Sequence, residues 1–151
     1  MPYSNVSADL IWEITRNQNS YVVARTGGGP LFSRDPLNLT NVHTRTHAGF
    51  VNDKALGVVP GEKGGVQVIS KKAGSITKPS ARTTVSYGGN KTARKTYKAV
   101  ANQAAKAGYR GDLRQAAVAR VSAIRRSQKT PKPDAEKKLR GNAAKRAAAE
   151  N

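Results

Sequence analysis

The sequence contains no cysteine and few aromatic or acidic residues. The lack of cysteine excludes disulfides, zinc ribbons and cysteine nucleophiles together. Aromatic residues make up 5% of the chain, so we expect no large stacking platform for single-stranded bases. No apolar run approaches the roughly 20 residues of a membrane-spanning helix, and no N-terminal stretch has the apolar core of a secretory signal. We therefore expect no membrane partner.

The scarcity of acidic residues leaves a large positive charge. The chain has 27 basic and 9 acidic side chains, a net charge of +18. Residues 1–89 carry +5, residues 90–128 carry +9 and residues 129–151 carry +4. A compact domain with this excess repels itself unless salt or a polyanion screens it, which favours nucleic acid as the partner. The gradient predicts a folded first half and a polyanion-facing second half.

The first half reads as one helix followed by short strands. Ser7 is placed to cap a helix that runs to about residue 17, with Leu10, Ile11 and Ile14 on one face and Trp12 beside them. A strand would instead place Leu10, Trp12 and Ile14 on one side, and we favour the helix. Residues 42–50 are ambiguous. Strands are predicted from β-formers and breakers at residues 20–25, 31–33, 55–59, 66–72 and 82–87.

The second half reads as two helices joined by a tight link. The first covers residues 90–107, and Gly108 ends it. The second covers residues 110–129, with Asp112 as its expected N-cap. Their apolar stripes are Ala93, Tyr97, Val100, Ala101 and Ala104 in the first, and Leu113, Ala117, Val121 and Ile124 in the second.

These elements predict an α+β fold: a small, mostly antiparallel sheet with an N-terminal helix, a C-terminal basic helical hairpin and an extended or helical tail. We expect a flexible N-terminus at residues 1–6, one domain at 7–129 with its hairpin at 90–129, and a basic Ala/Lys-rich tail at 130–151. Pro131 and Pro133 keep the second helix from continuing unbroken into that tail.

Candidate catalytic and metal motifs fail on spacing. Residues 88–92 (GGNKT) lack the glycines that a phosphate-binding loop requires around its lysine. His43 and His47 are four apart, but no cysteine and no HExxH glutamate accompanies them, so a surface or RNA-facing role is favoured over metal ligation. We expect no enzyme activity, no cofactor, no metal and no small-molecule substrate.

The basic residues are dispersed over several elements, which suits recognition of a folded RNA by shape and phosphate. A DNA reader of the helix-turn-helix type is the nearest competitor, with Arg114 and Gln115 at the start of its second helix. Arg120 lies near the apolar seam of that helix, so the sequence leaves open whether it faces RNA or protein.

Residues 112–129 (DLRQAAVARVSAIRRSQK) resemble the C-terminal helix of the eukaryotic large-subunit ribosomal protein family L28e. Shorter matching pieces occur in order over most of the chain, from Leu10 and Trp12 through Lys71-Lys72 to Tyr109-Arg110. The resemblance implies a non-catalytic component of the cytosolic large ribosomal subunit that is assembled in the nucleolus. Its implied partners are large-subunit ribosomal RNA and neighbouring ribosomal proteins, with no homo-oligomer expected.

The resemblance also implies which residues face RNA. Carried over by position, they are Arg16, Lys71, Lys72, Lys78, Arg82, Arg94, Arg110, Arg114, Arg120, Arg126 and Lys129. The basic faces of the two predicted helices add Lys95, Lys98 and Arg125. Two alternatives stay open: a ribosome-assembly factor that leaves before the subunit matures, and a free basic RNA- or DNA-binding regulator.

Overall fold

The computed structural model describes residues 6–72, 78, 80–135, 138 and 140–149. The expectation for residues 1–5 and part of that for the tail lie outside these ranges. The elements are α1 (Ala8–Thr15), β1 (Val22–Val23), β2 (Phe32–Ser33), β3 (Leu56–Pro60), β4 (Val66–Lys71), β5 (Arg82–Tyr87), α2 (Ala93–Ala105), α3 (Arg114–Ser127) and α4 (Asn142–Ala149). Short 3-10 turns at Lys106–Gly108 and Gly111–Leu113 join α2 to α3. The predicted α+β class is confirmed.

The larger sheet has the antiparallel order β3-β4-β5, with Val58 opposite Val68 and Val68 opposite Val85. Alternation along the strands turns one row of side chains toward the helices. The turn between β3 and β4 depends on Gly65, which has φ of 82°. A Cβ at this position would overlap the backbone of residues 87–89, so only glycine fits.

The helices α2 and α3 pack on each other and on this sheet as the predicted hairpin. Small side chains line their contact and allow close approach. In α2 the buried residues are Thr96, Val100 and Ala104, so the predicted stripe is rotated toward Thr96 and away from Ala101. Thr96 tolerates burial because its hydroxyl donates to the Thr92 carbonyl at 3.1 Å. The main core contains Leu39, Leu56, Val58, Val66, Val68, Val100, Ala104, Leu113, Ala117 and Val121.

The start of α3 corrects the sequence prediction. The α-helix begins at Arg114, after the 3-10 turn, and Asp112 is not its N-cap. The Asp112 carboxylate instead accepts hydrogen bonds from the Arg110 guanidinium. A charged donor two residues away outcompetes the backbone amides that a capping carboxylate would bind.

The N-terminal helix α1 is present and Ser7 caps it, since its Oγ accepts from the Leu10 amide at 3.1 Å. Of its predicted apolar face, Ile11 packs on a buried cluster, but Leu10 and Ile14 do not. Trp12 is buried at 8% exposure, whereas Leu10 is 51% and Ile14 70% exposed. Trp12 packs against His43 and Phe50 in a second small core, with tilted rings whose centroids are 4.8 and 6.4 Å away. The large indole buries more surface than either aliphatic side chain, so it sets the rotation of the helix.

The remaining strands and the connecting loops form a layer beside the larger sheet. β1 and β2, which lie within the predicted strands at residues 20–25 and 31–33, pair with each other, and Val42, in the ambiguous segment, forms a single bridge with Phe32. We call residues 34–54 the loop layer. Asp35 organises it, because its buried carboxylate accepts from the amides of Leu37 at 2.9 Å and Phe50 at 3.0 Å.

The tail contains α4, whose described side chains are exposed. Within the described ranges, every helix is too short or too polar to span a lipid bilayer.

Candidate nucleic-acid interface

Lys71, a predicted RNA contact, lies inside the protein at 7% exposure. Its ammonium group donates to the carbonyls of Gly49 at 2.6 Å and Asn52 at 3.1 Å, both in the loop layer. Burial lowers the pKa of Lys71, and the nearby Asp35 carboxylate opposes that effect. This lysine joins β4 to the loop layer, so its side chain has little surface to offer a ligand.

Arg110 is likewise occupied by the protein. Its guanidinium donates to the Lys54 carbonyl at 2.8 Å, to the Thr46 carbonyl at 3.0 Å and to the Asp112 carboxylate. The adjacent Tyr109 hydroxyl donates toward the Lys71 carbonyl at 2.7 Å and the Ala55 carbonyl at 3.0 Å. The link between α2 and α3 is therefore fastened to the loop layer and to the sheet.

The C-terminal end of α3 is fastened in the same way at the other end of the sheet. Arg125 Nη2 donates to the carbonyls of Gly89 at 3.1 Å and Lys91 at 2.8 Å. The Gln128 side chain pairs with both backbone groups of Gly65, donating to its carbonyl at 2.7 Å and accepting from its amide at 2.9 Å. Arg125 and Gln128, within the motif at residues 112–129, thus hold α3 to the rest of the fold.

The other cations of the hairpin face outward. Arg94, Lys95 and Lys98 are exposed on α2, and Arg114, Arg126 and Lys129 are exposed on or just after α3. Neither helix contains an acidic residue. The three salt bridges among the described residues join Arg16 to Glu13, Arg45 to Asp9 and Arg110 to Asp112. These outward cations therefore meet no carboxylate within the described chain.

Arg114, Arg120 and Arg126 do not share a face. They are six residues apart, and at about 100° per residue successive members point about 120° away from each other. Arg120, whose direction the sequence left open, is half-buried beside the stripe of Ala117 and Val121 that packs on the sheet. The outward basic surface therefore includes Arg114 and Arg126 more fully than Arg120.

A second exposed basic group lies at the opposite end of β5 from the tip of α3. It contains Lys72, Lys78 and Arg82. The length of β5 places it about 17 Å from Tyr87. Arg16 lies elsewhere, at the end of α1, where its side chain is about half exposed and bridges to Glu13 at 3.2 Å. The outward cations of the hairpin thus lie on α2 and α3, apart from Arg16 and from the basic group beside β5.

The two histidines have structural partners. His43 Nε2 lies 2.7 Å from the Arg16 carbonyl at the end of α1, and His47 Nδ1 lies 2.9 Å from the Thr44 hydroxyl. Burial and the neighbouring Arg110 lower the pKa of His47. Among the described residues, no three His, Cys, Asp or Glu side chains are grouped so as to hold a metal ion.

Sequence reasoning missed Tyr109 and Gln128, which make some of the longest-range hydrogen bonds in the chain. Tyr109 has a signal in hindsight, because an aromatic residue in a short polar link needs a place to bury its ring. Gln128 has none, since its partner Gly65 is 63 residues away.

Together, the contacts define a small α+β protein that holds part of its positive charge in internal hydrogen bonds and exposes the rest on its surface. The sequence profile of the ribosomal L28e protein family matches residues 10–127. The large ribosomal subunit protein eL28 of Schizosaccharomyces pombe is 38% identical over 130 residues, covering 85% of this chain and 97% of the relative. The protein of the same name from Caenorhabditis elegans is 30% identical over 81 residues, covering 54% and 64%. The chain belongs to the ribosomal L28e family.

Proposed function

We propose that the chain is a structural constituent of the large subunit of the eukaryotic cytosolic ribosome and binds ribosomal RNA through the outward cations of α2 and α3. The observation that carries this proposal is the absence of any acidic residue from either helix. Family membership supports the ribosomal role, and ribosomal proteins of this kind are structural and not enzymes.

The physical argument is charge neutralisation. A net charge of +18 on 151 residues disfavours the compact state through self-repulsion until a polyanion is present. Each phosphate contact releases condensed counterions, so binding weakens with salt in proportion to the number of contacts. Arginine suits this role because its planar fork binds phosphate oxygens in pairs. Lys71, Arg110 and Arg125 are left out of the proposed contact surface because their donors bind backbone carbonyls.

Contacts with neighbouring proteins are proposed for α1. Leu10 and Ile14, four residues apart, form an exposed apolar pair on its surface. The nearby Arg16 is paired with Glu13, so this face offers RNA no unpaired cation. An apolar segment of an adjacent ribosomal protein fits such a surface better than phosphate does.

The experiment that tests the RNA surface compares two triple variants of the full chain. Changing Arg94, Lys98 and Arg126 to Gln removes three outward hairpin cations. The control changes Arg34, Lys63 and Lys138 to Gln, which are also exposed and remove the same charge. We expect the hairpin variant to bind a large-subunit RNA fragment at least tenfold more weakly and to lower the log–log salt slope by about 2 to 3. Equal losses of RNA affinity in the two variants would mean that binding depends on net charge alone and not on the hairpin cations.

Sedimentation separates the alternatives. A structural constituent stays on mature large subunits in high-salt gradients, and we propose that it joins them in the nucleolus. An assembly factor would sediment only with precursors, and a free regulator would remain near the top of the gradient. Either of those distributions would contradict the proposed role.

A further inference from the structure

A groove runs along the hairpin between α2 and α3. Its floor contains Tyr97 of α2 and Val118, Ala119 and Ser122 of α3. The stripe of α3 that packs on the sheet is Ala117 and Val121, so Ala119 and Ser122 belong to the outer side of the helix. The groove opens to solvent there and continues past Ser122 toward the residues that follow α3.

Cations stand at both ends of this groove. Arg114 and Gln115 line one end, and Arg126, Lys129 and Lys132 line the other. Among the described residues, none that lines the groove is acidic. Arg125 also borders the second end, where its Nη1 is buried without an acceptor among the described residues. An anionic oxygen at this end would instead meet the exposed side chains of Arg126, Lys129 and Lys132.

The dimensions of the groove favour a single strand of RNA over a duplex. Packed helices lie about 8 to 10 Å apart, so the groove between them is too narrow for an RNA helix to enter. Arg114 and Arg126 are twelve residues apart on α3, which separates their backbones by about 18 Å. That length spans several nucleotides of an extended strand. The floor between them is apolar, as a base requires.

Tyr97 supplies the stacking surface. Its ring is half-buried. It lines both the part of the groove that ends at Arg114 and the part that ends at Arg126. A single tyrosine is far from a platform, but one aromatic ring binds one base face without regard to sequence. An apolar peptide would also cover Tyr97 and Val118, yet it would leave the cations at both ends without counter-charge.

We propose that this groove binds an unpaired segment of RNA, with a base against Tyr97 and flanking phosphates at Arg114 and at Arg126 with Lys129. The inference rests on the proposed RNA-binding function and adds to it a recognition of strand state. The other outward cations, Lys95 and Lys98 among them, contact phosphates of folded RNA whether or not its bases are paired.

The test uses the full chain and two RNA probes of matched length, a single-stranded octamer carrying 2-aminopurine and a blunt duplex of the same sequence. Tyr97→Leu removes the aromatic ring and keeps an apolar side chain on α2. We expect it to weaken octamer binding about tenfold or more, to abolish the change in 2-aminopurine fluorescence, and to leave duplex binding within about twofold. Tyr97→Phe is the matched control and should behave as the wild type.

A second variant guards against a folding defect in the first. Ala119 is exposed on the groove floor, so Ala119→Glu puts a carboxylate there without disturbing the core. We expect it to lower octamer affinity more than duplex affinity. Equal loss of both probes, or loss of neither, would overturn the groove assignment and leave the proposed function standing. Failure of the wild-type chain to bind either RNA would overturn the proposed function itself.

Discussion

Cationic side chains are bound by backbone carbonyls in the loop layer but are exposed to solvent on the helical hairpin. In the loop layer, Lys71 and Arg110 enter from other elements and donate to four of its backbone carbonyls. The outer surface of the hairpin presents Arg94, Lys98 and Arg126 to solvent, with no acidic residue in either helix.

The difference follows from backbone geometry. An irregular loop leaves carbonyl groups without regular partners, and burial makes each of them costly unless a donor reaches it. Asn52 illustrates this demand, because its side-chain amide donates to the carbonyls of Arg45, Thr46 and Ala48. A helix satisfies its own carbonyls except at its end, so cations along its outer face remain available. A cation beside irregular backbone is therefore more often structural than one on a helix surface.

The largest expected effect comes from breaking the loop-layer side of this comparison. Arg110→Ala removes the donors to Lys54 and Thr46 and leaves both carbonyls, together with Asp112, without their partner. We expect a loss of about 2 to 4 kcal/mol in the free energy of unfolding, since hydrogen bonds from charged groups are the stronger kind. Urea denaturation monitored by circular dichroism measures it.

Arg126→Ala is the control on the hairpin side. Its side chain is exposed and makes no salt bridge with the described residues, so its stability should change by less than about 0.5 kcal/mol. Equal denaturation midpoints for the two variants would mean that Arg110 contributes no more to folding than a surface arginine.

Sequence patterns predicted the regular elements well because local physics determines them. The strand from Arg82 to Tyr87 follows from β-forming residues that end at a glycine pair, and the two-helix hairpin follows from helical spacing and Gly108. The rotation of α1 was not predictable, because it depends on His43 and Phe50, which lie more than 30 residues from Trp12. A helical period identifies the faces of a helix but not which face the rest of the protein covers.

For the candidate site, the sequence predicted that basic residues would be abundant but not which of them face outward. The uneven charge and the motif at residues 112–129 indicated an RNA partner and the family. They could not separate Arg125, which holds the Gly89 and Lys91 carbonyls, from its neighbour Arg126, which points outward. Adjacent arginines on a helix point about 100° apart, and only the packing of the helix assigns them different roles.

A smaller effect on the free energy of unfolding is expected when Lys71, the buried cation that contacts the loop layer, loses its charge. Lys71→Met leaves the Gly49 and Asn52 carbonyls without donors but also removes the desolvation of an ammonium group. These opposing terms should give a net loss of about 1 to 2 kcal/mol at pH 7. Thermal and urea unfolding across pH 7 to 10.5 measure the difference.

The pH dependence carries the sharper information. Because burial lowers the pKa of Lys71 in the folded chain, the unfolded chain holds that proton more tightly. The wild type should therefore gain stability relative to Lys71→Met as the pH rises from neutral toward 10.5. A gap that narrows over this range would show that the folded state stabilises the charged amine, contrary to its burial.

The smallest effect is expected at Asp112, where the two sides of the comparison meet at the start of the hairpin. Hydrogen bonds from Arg110 hold the pKa of this carboxyl below its ordinary value of 3.8. Its side chain is about half exposed, so solvent screening limits the contribution of the pair to under about 1 kcal/mol. The folded state favours the ionised form, so this contribution is present above pH 3.8 and is lost as the pH falls through the lowered pKa.

Asp112→Asn should therefore be slightly less stable than the wild type at pH 7 and equal to it in strong acid. Glu62→Gln, an exposed change in the β3–β4 turn, is the control and should show no such convergence. A deficit in Asp112→Asn that persists below the lowered pKa would mean that the side chain matters through its shape and hydrogen bonding, and that charge pairing with Arg110 does not hold the link between α2 and α3.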